Sequence, residues 1–183
     1  MKRRIVLIAL VFSLFGTLSA QGGLGLGPVL GYQKAQDAEE GSILGGVALR
    51  MKVNSLIGVE GSILYRSEEY EDSYVKVVNY PVMATGLIYP IPNIYGAIGA
   101  GWYNTRIKYD YDKTLSMIEP DDETTQEFGW HFGAGAELPV GRTTKLTADI
   151  RYVFIDYDFK NAPYSDEVEN DFFIINIGLL FGL

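Results

Sequence analysis

Cysteine is absent from the 183 residues of this chain, and histidine occurs once, at His131. Without cysteine the chain can form no disulfide, offer no thiolate to a metal or substrate, and carry no lipid on a cysteine. With one histidine, the commonest general base is available at a single position. These two absences narrow the chemistry that the chain can perform.

Positive charge is scarce beyond the N-terminal segment. Residues 1–20 consist of three basic residues at 2–4, an apolar run at 5–18 and a small residue, Ala20, before the expected cut. That pattern is typical of a secretory signal peptide, and the run is shorter than the ~20 residues of a membrane-spanning helix. Of 15 Lys and Arg, 12 remain after the cut against 23 acidic residues, a net charge of −11. Nucleic acid, which binds basic surfaces, is therefore not an expected partner.

A long apolar helix and a helical period are also missing after residue 20, and the dominant period is two. In "EFGWHFGAGAEL" the large apolar side chains alternate with Gly, His131 and Glu137. Such alternation predicts strands with one apolar and one polar face. Eight strands are predicted, beginning near residues 23, 42, 56, 74, 94, 125, 144 and 168. The orientation of the strand from Asn93 to Tyr109 stays open, because its two faces are alike.

The connections between these strands alternate strictly in length. Short ones lie around 53–55, 90–93 and 139–142. The long ones are 34–42, 66–74, 108–126 and 158–170. All but three of the 23 acidic residues, Glu60, Glu137 and Asp149, lie in or beside the long connections. The pattern predicts a compact end and an end that carries acidic loops.

The C-terminal segment "DFFIINIGLLFGL" is apolar almost to its last residue. In water such an edge strand invites aggregation, whereas a closed barrel has no edge and satisfies every backbone group within lipid. We therefore expect an all-β fold, an eight-stranded antiparallel up-and-down transmembrane β-barrel over residues 21–183, present as a monomer. Tyr65, Trp130, Tyr152 and Phe154 would supply its aromatic girdles, and the long loops would lie outside the cell.

The inward rows of this barrel mix Gly and Ser with a near balance of charge. Four cations, Arg50, Lys52, Lys145 and Arg151, meet the three strand carboxylates, and hairpin geometry places Arg50 diagonally near Glu60. Because an eight-stranded barrel is filled by side chains, we expect a plugged lumen, in which glycine makes room for arginine. The predicted network consists of Arg50, Glu60, His131, Glu137, Lys145, Asp149 and Arg151.

Three stretches, "NYPVMATGLIYPIPNIYGAIGAGWYN", "FGWHFGAGAELPV" followed by "LTADIRYVF", and "INIGLLFGL", carry a family resemblance. The chain resembles the small outer-membrane β-barrels of the OmpA/OmpX type and the porin-like group with an outer membrane protein β-barrel domain. That resemblance implies the outer membrane of a Gram-negative bacterium, contact with its lipids and lipopolysaccharide, and insertion by the barrel-assembly machinery. The machinery recognises a C-terminal strand that ends in an aromatic residue, which here is Phe181 rather than Leu183.

The candidates for chemistry are weak, and we expect no enzyme, cofactor or metal. Lipid A-modifying barrels of similar size have a Ser two residues after a membrane-facing His, but Gly133 follows the inward His131. Glu60 and Glu137 suit partners of interior cations better than a catalytic pair. "DYDYDK" from Asp110 resembles a calcium loop but has Leu115 where Gly is required, and "EPDDET" at 119–124 suits a solvated loop.

The expected function is a structural or surface-interaction role, with an extracellular partner that the sequence does not name. A narrow porin for small solutes or ions is the alternative. A lipid A-modifying enzyme is a weaker one, because of Gly133. A secreted soluble barrel with an apolar ligand is opposed by the charges on the inward rows.

Overall fold

A computed structural model describes residues 23–35, 41–70, 75–109, 123–157, 168–169 and 171–183. The predicted signal peptide, 1–20, lies outside these residues, and so do the middles of the four long connections. Every regular element in the described part of the chain is a β-strand. Within that part, no helix has the length and apolarity required to cross a membrane.

The described residues form nine strands, each antiparallel to the strands with which it pairs. They are β1 Leu24–Ala35, β2 Ser42–Lys52, β3 Ile57–Tyr70, β4 Val75–Ile91, β5 Ile94–Tyr109, β6 Glu123–Pro139, β7 Thr144–Tyr157, β8 Val168–Glu169 and β9 Phe172–Gly182. Strands β1 to β7 pair in chain order, β7 pairs with β9, and β9 pairs with β1. The prediction of a closed, eight-stranded, up-and-down antiparallel barrel is confirmed.

Two boundaries differ from the prediction. Strand β3 runs to Tyr70, so most of the expected long connection 66–74 is strand and only residues 71–74 separate β3 from β4. The last barrel strand begins at Phe172, not near 168, and the two-residue strand β8 pairs separately with the end of β7 at Asp156 and Tyr157. Sequence alternation could not separate β8 from the last barrel strand, because β8 has two residues, too few to show a period of two.

The short turns lie together at one end of the barrel, as predicted. The tightest joins β4 to β5 through Pro92 and Asn93 alone. Asn93 has a φ of 71°, in the left-handed region that Asn tolerates better than most residues. At the turn between β2 and β3, the Asn54 side chain accepts the backbone N–H groups of Leu56 and Ile57, both at 2.8 Å. The strand ends that border the long connections lie at the opposite end.

The two faces of the wall follow the predicted alternation. Outward side chains such as Leu30, Trp130 and Ile177 are 65%, 61% and 57% exposed. The orientation of β5 is settled as well: Tyr95 points inward and Trp102 outward. Val78 and Asn104 depart from the alternation, because each holds an outward register position but is buried.

The interior is less polar than predicted. A buried apolar cluster, here called the apolar layer, fills the half of the lumen nearer the long connections. It consists of Leu44, Leu64, Met83, Tyr103, Val153, Ile155, Phe172 and Ile174. The fully buried charged residues lie towards the short turns, together with a smaller apolar cluster of Leu87, Tyr89, Tyr95 and Ala97. The half of the lumen nearer the long connections is therefore mainly apolar, and the other half, here called the ionic half, holds the buried ion pairs.

Candidate functional site

The ionic half of the lumen is organised around Glu60 of β3. Its register partner across the β2–β3 hairpin is Arg50, directly opposite rather than diagonal as expected. Arg50 donates to Glu60 Oε2 from Nη2 at 2.5 Å and from Nε at 2.8 Å. Arg151, on β7, donates from Nη2 to the other oxygen, Oε1, at 2.6 Å. One carboxylate thus joins two arginines from opposite sides of the barrel.

Asp149 supplies the second carboxylate of this cluster. Arg151 Nε donates to its Oδ1 at 2.8 Å, as does Asn176 Nδ2 at 2.9 Å. The Tyr95 hydroxyl donates to Oδ2 at 2.9 Å and accepts from Arg50 Nη2 at 3.0 Å. Two arginines and two carboxylates are therefore matched in charge and held by neutral donors, as buried charges require.

Glu137, on β6, lies nearer the short turns and accepts four donors. Its Oε1 is 2.6 Å from Lys52 Nζ and 3.1 Å from Lys145 Nζ. Its Oε2 accepts the Tyr89 hydroxyl at 3.0 Å and lies 3.5 Å from Arg50 Nη1. The Lys52 ammonium also lies 4.0 Å from the centre of the Tyr89 ring, at a cation–π distance. Two lysines thus share one carboxylate oxygen at the mouth of the barrel.

His131 contacts the cluster only through a neutral residue. Its Nε2 is 2.9 Å from Thr85 Oγ1, which also accepts from Arg151 Nη1 at 3.2 Å. Its Nδ1 has no hydrogen-bond partner among the described residues. The Thr85 hydroxyl and the His131 imidazole have the spacing of a nucleophile and its base. No third group orients His131 within the described part of the chain, and both side chains are buried. The pair therefore lacks the access and the orienting group that acyl transfer needs.

Seven residues were expected in the lumen network, and the structure places all of them on inward positions. Six of them form ion pairs, and His131 joins through Thr85. Sequence reasoning missed Tyr89, Tyr95, Thr85 and Asn176 as partners. Tyr95 was missed because the faces of β5 could not be told apart. Its alternation with Ala97 and Gly99 is the signal that was available.

Interior glycines make room for neighbours other than arginine, which corrects the expectation. A Cβ at Gly135 would lie 2.6 Å from Tyr95 Cζ and 2.5 Å from Asp149 Cβ. A Cβ at Gly31 would lie 2.8 Å from Asn176 Oδ1. The glycines of β1 and β6 thus admit the tyrosine and the amide that hold the ionic cluster.

Three separate spaces lie along the part of the barrel interior that the structure describes. A cavity of about 310 Å³ opens among Lys52, Glu137 and Lys145 at the end with the short turns. The gap around Glu60 and Arg151 measures about 10 Å³ and reaches Leu64 and Met83 of the apolar layer. Beyond that layer, a gap of about 40 Å³ lies beside Asn104 and Phe172. The open cavity narrows at the ionic cluster, where little space remains.

No group of three metal-ligating side chains occurs among the described residues. The acidic stretch at 110–122, which includes "DYDYDK", lies outside those residues. The interior therefore offers ion pairs and one open cavity rather than a built metal centre.

The family model described as "Outer membrane protein beta-barrel domain" matches residues 5–181. No curated protein matches the chain significantly in sequence.

Several solved structures share the fold at low identity. A major outer membrane protein from Thermus thermophilus is 10% identical with a TM-score of 0.63; the match covers 87% of this chain and 99% of that one. Neisserial surface protein A is 12% identical with a TM-score of 0.60, covering 88% and 97%. The attachment invasion locus protein of Yersinia pestis, in complex with the heparin analogue sucrose octasulfate, is 16% identical with a TM-score of 0.55, covering 88% and 97%. These likenesses support the fold and no finer property.

Proposed function

Because this chain belongs to the outer membrane protein beta-barrel domain family and lies in the outer membrane, we propose that it is a monomeric, non-conducting barrel with a surface-interaction role. In this proposal the long acidic connections face outward and bind a partner, while the barrel holds them at the membrane. The signal peptide directs export, and the barrel-assembly machinery inserts the chain into a Gram-negative outer membrane beside phospholipid and lipopolysaccharide. No catalytic step and no cofactor are part of it.

The observation that supports the proposal is the packing of inward side chains among the described residues. The apolar layer contributes eight buried side chains across the lumen, and Glu60, Arg50 and Arg151 close the space beneath it. An ion entering this path would lose its water against apolar side chains, at a high cost. Function therefore falls to the two ends of the barrel.

The composition of the long connections indicates the sign of the partner's charge. They and the adjoining strand ends contain all but three of the 23 acidic residues. The Yersinia attachment protein was solved with a sulfated ligand, which carries the opposite charge from the one that acidic loops attract. For this chain we propose a cationic partner, such as a basic segment of a surface protein, recognised partly through long-range attraction.

Orientation can be tested cleanly because the chain has no cysteine. Each of two variants introduces a single cysteine: Ser116→Cys in the connection 108–126, and Ser55→Cys in the turn between β2 and β3. A membrane-impermeant maleimide should label the Ser116 variant on intact cells and the Ser55 variant only after the outer membrane is opened. Labelling of Ser55→Cys on intact cells would reverse the proposed orientation.

Conductance separates the proposed function from the porin alternative. The purified barrel in a planar bilayer should give no steady single-channel current above that of the protein-free membrane. An open state that is stable and recurrent would contradict the plugged lumen.

Binding of a cationic peptide should fall when Glu119, Asp121 and Asp122 are replaced by their amides. Unchanged binding would remove that connection from the recognition surface.

A further inference from the structure

We propose that the cavity at the end with the short turns is a binding site for a phosphate-bearing anion. This inference goes beyond the surface role proposed above and does not depend on the acidic connections. The proposed site is formed by Lys52, Lys145 and Arg142, which line a cavity of about 310 Å³. That volume lies at the lower end of the range for small-molecule pockets, ~300–1,000 Å³.

The charge balance of the interior leaves these cations in excess. Deeper in the lumen, Arg50 and Arg151 are matched by Glu60 and Asp149. At the mouth, the cavity is lined by Lys52, Lys145 and Arg142 and by one carboxylate, that of Glu137, an excess of two positive charges when Arg50, which also lines it, is counted with Glu60. The excess is one if a carboxylate at Leu183, which also lines the cavity, is counted. An anion at this mouth would therefore meet positive charge that the interior carboxylates do not neutralise.

The lysines have donors to spare. An ammonium group has three N–H donors, and Lys52 and Lys145 each direct one at the same Glu137 oxygen, at 2.6 and 3.1 Å. Their side chains are 23% and 35% exposed, so both ammonium groups lie at the open edge of the barrel. Glu137 holds the two ammonium groups close together, and a tetrahedral oxyanion can accept from both at once.

The wall of the cavity adds an apolar rim. Leu24, Pro139, Leu180 and Leu183 lie around the same opening, at the ends of β1, β6 and β9. A cavity lined by both cationic and apolar side chains suits an anion that carries hydrocarbon, and it also admits free phosphate. The shared chemistry is the phosphate group. The source is either a free phosphate or the headgroup of a phospholipid in the leaflet beside the short turns.

The test uses the purified barrel in maltoside micelles, which contain no phosphate. Calorimetric titrations with inorganic phosphate and with dihexanoyl phosphatidylglycerol distinguish the two sources. Saturation by inorganic phosphate supports a free anion, and saturation by the lipid alone supports a headgroup. If neither probe saturates by about 10 mM, the proposal is wrong.

Variants locate the site. Lys52→Gln/Lys145→Gln should weaken binding about tenfold or more, because charge-assisted hydrogen bonds are lost. Arg142→Gln should weaken it by a smaller factor and leaves the fold untouched, since Arg142 makes no ion pair among the described residues. Lys34→Gln removes the same charge at the opposite end of β1 and should change nothing. Equal weakening by Lys34→Gln, or wild-type binding by the folded double variant and Arg142→Gln, would overturn the site.

Discussion

Replacing Glu60 by glutamine tests whether the ionic cluster stabilises the barrel. Glu60 has two carboxylate oxygens, and each accepts from a different arginine, at 2.5 and 2.6 Å. Glutamine keeps the shape of the side chain but has one acceptor oxygen. Its NH₂ group would therefore face the donor of one arginine. The two buried cations would be left with Asp149 and, for Arg50, with Glu137 at 3.5 Å.

The size of the effect follows from burial. The side chains of Arg50, Glu60 and Arg151 are 4%, 3% and 2% exposed, so water cannot replace the lost carboxylate. Removing one partner of a buried ion pair costs roughly 3–5 kcal/mol. Because Asp149 lies within reach of both arginines, we expect Glu60→Gln to lower the free energy of unfolding by an amount within that range rather than twice it.

The matched control is Ser62→Ala, the next inward position on β3. Ser62 Oγ is buried with no hydrogen-bond partner among the described residues, so its loss should cost less than about 1 kcal/mol. A second variant restores the balance of charge: Glu60→Gln/Arg151→Met removes one anion and one cation. Its cost should be smaller than the sum of the two single costs by about 1–3 kcal/mol.

The assay is urea unfolding in detergent micelles, followed by the fluorescence of Trp102 and Trp130. Both indoles lie on the outward face, at 50% and 61% exposure, so unfolding transfers them from detergent to water. The reasoning would be refuted if Glu60→Gln unfolded at the same urea concentration as Ser62→Ala. Additive costs in the double variant would also refute it, because they would mean that Glu60 and Arg151 do not interact.

Two further predictions rest on side-chain direction. Gly135→Ala should lower the free energy of unfolding by about 1–3 kcal/mol in the same urea assay, because its methyl group would overlap Tyr95. Gly61→Ala has open space around it and should change that free energy by less than about 0.5 kcal/mol. Equal costs for the two variants would contradict the packing. In bilayers with brominated acyl chains, the single tryptophan left in Trp102→Phe and in Trp130→Phe should be strongly quenched. An unquenched tryptophan would mean that its part of the barrel surface does not face lipid.

The direction of most side chains in the barrel strands could be predicted from the sequence, because each strand has one face towards lipid and one towards the lumen. Alternation assigned Trp130 outward and Glu137 inward on the same strand, as the structure has them. Counting residues around the turn at Asn54 also brought Arg50 close to Glu60. These inferences are local: they need only a period of two and a turn of known length.

The apolar layer could not be predicted in the same way. At Phe172-Phe173-Ile174-Ile175 and Val153-Phe154-Ile155 both faces are apolar, so the period of two disappears. One face meets lipid and the other meets side chains from across the lumen, such as Leu44 and Leu64. Sequence alternation reports a difference between the faces and gives no signal where lipid and interior demand the same chemistry. The cavity at the short turns was missed for a related reason, since its lining comes from strands far apart in sequence.

The ionic cluster also reinforces the register of β2 and β3. Alternation fixes only parity, because a slip of one residue exchanges the faces but a slip of two preserves them. Between β2 and β3, a slip of two would place Glu60 opposite Ala48 or Lys52 instead of Arg50. Opposite Ala48 the carboxylate would lose its cross-strand arginine, and opposite Lys52 it would move towards the mouth, away from Arg151. Since an unpaired buried charge costs several kcal/mol, the charges penalise the slipped registers and reinforce the one that the turn at Asn54 sets.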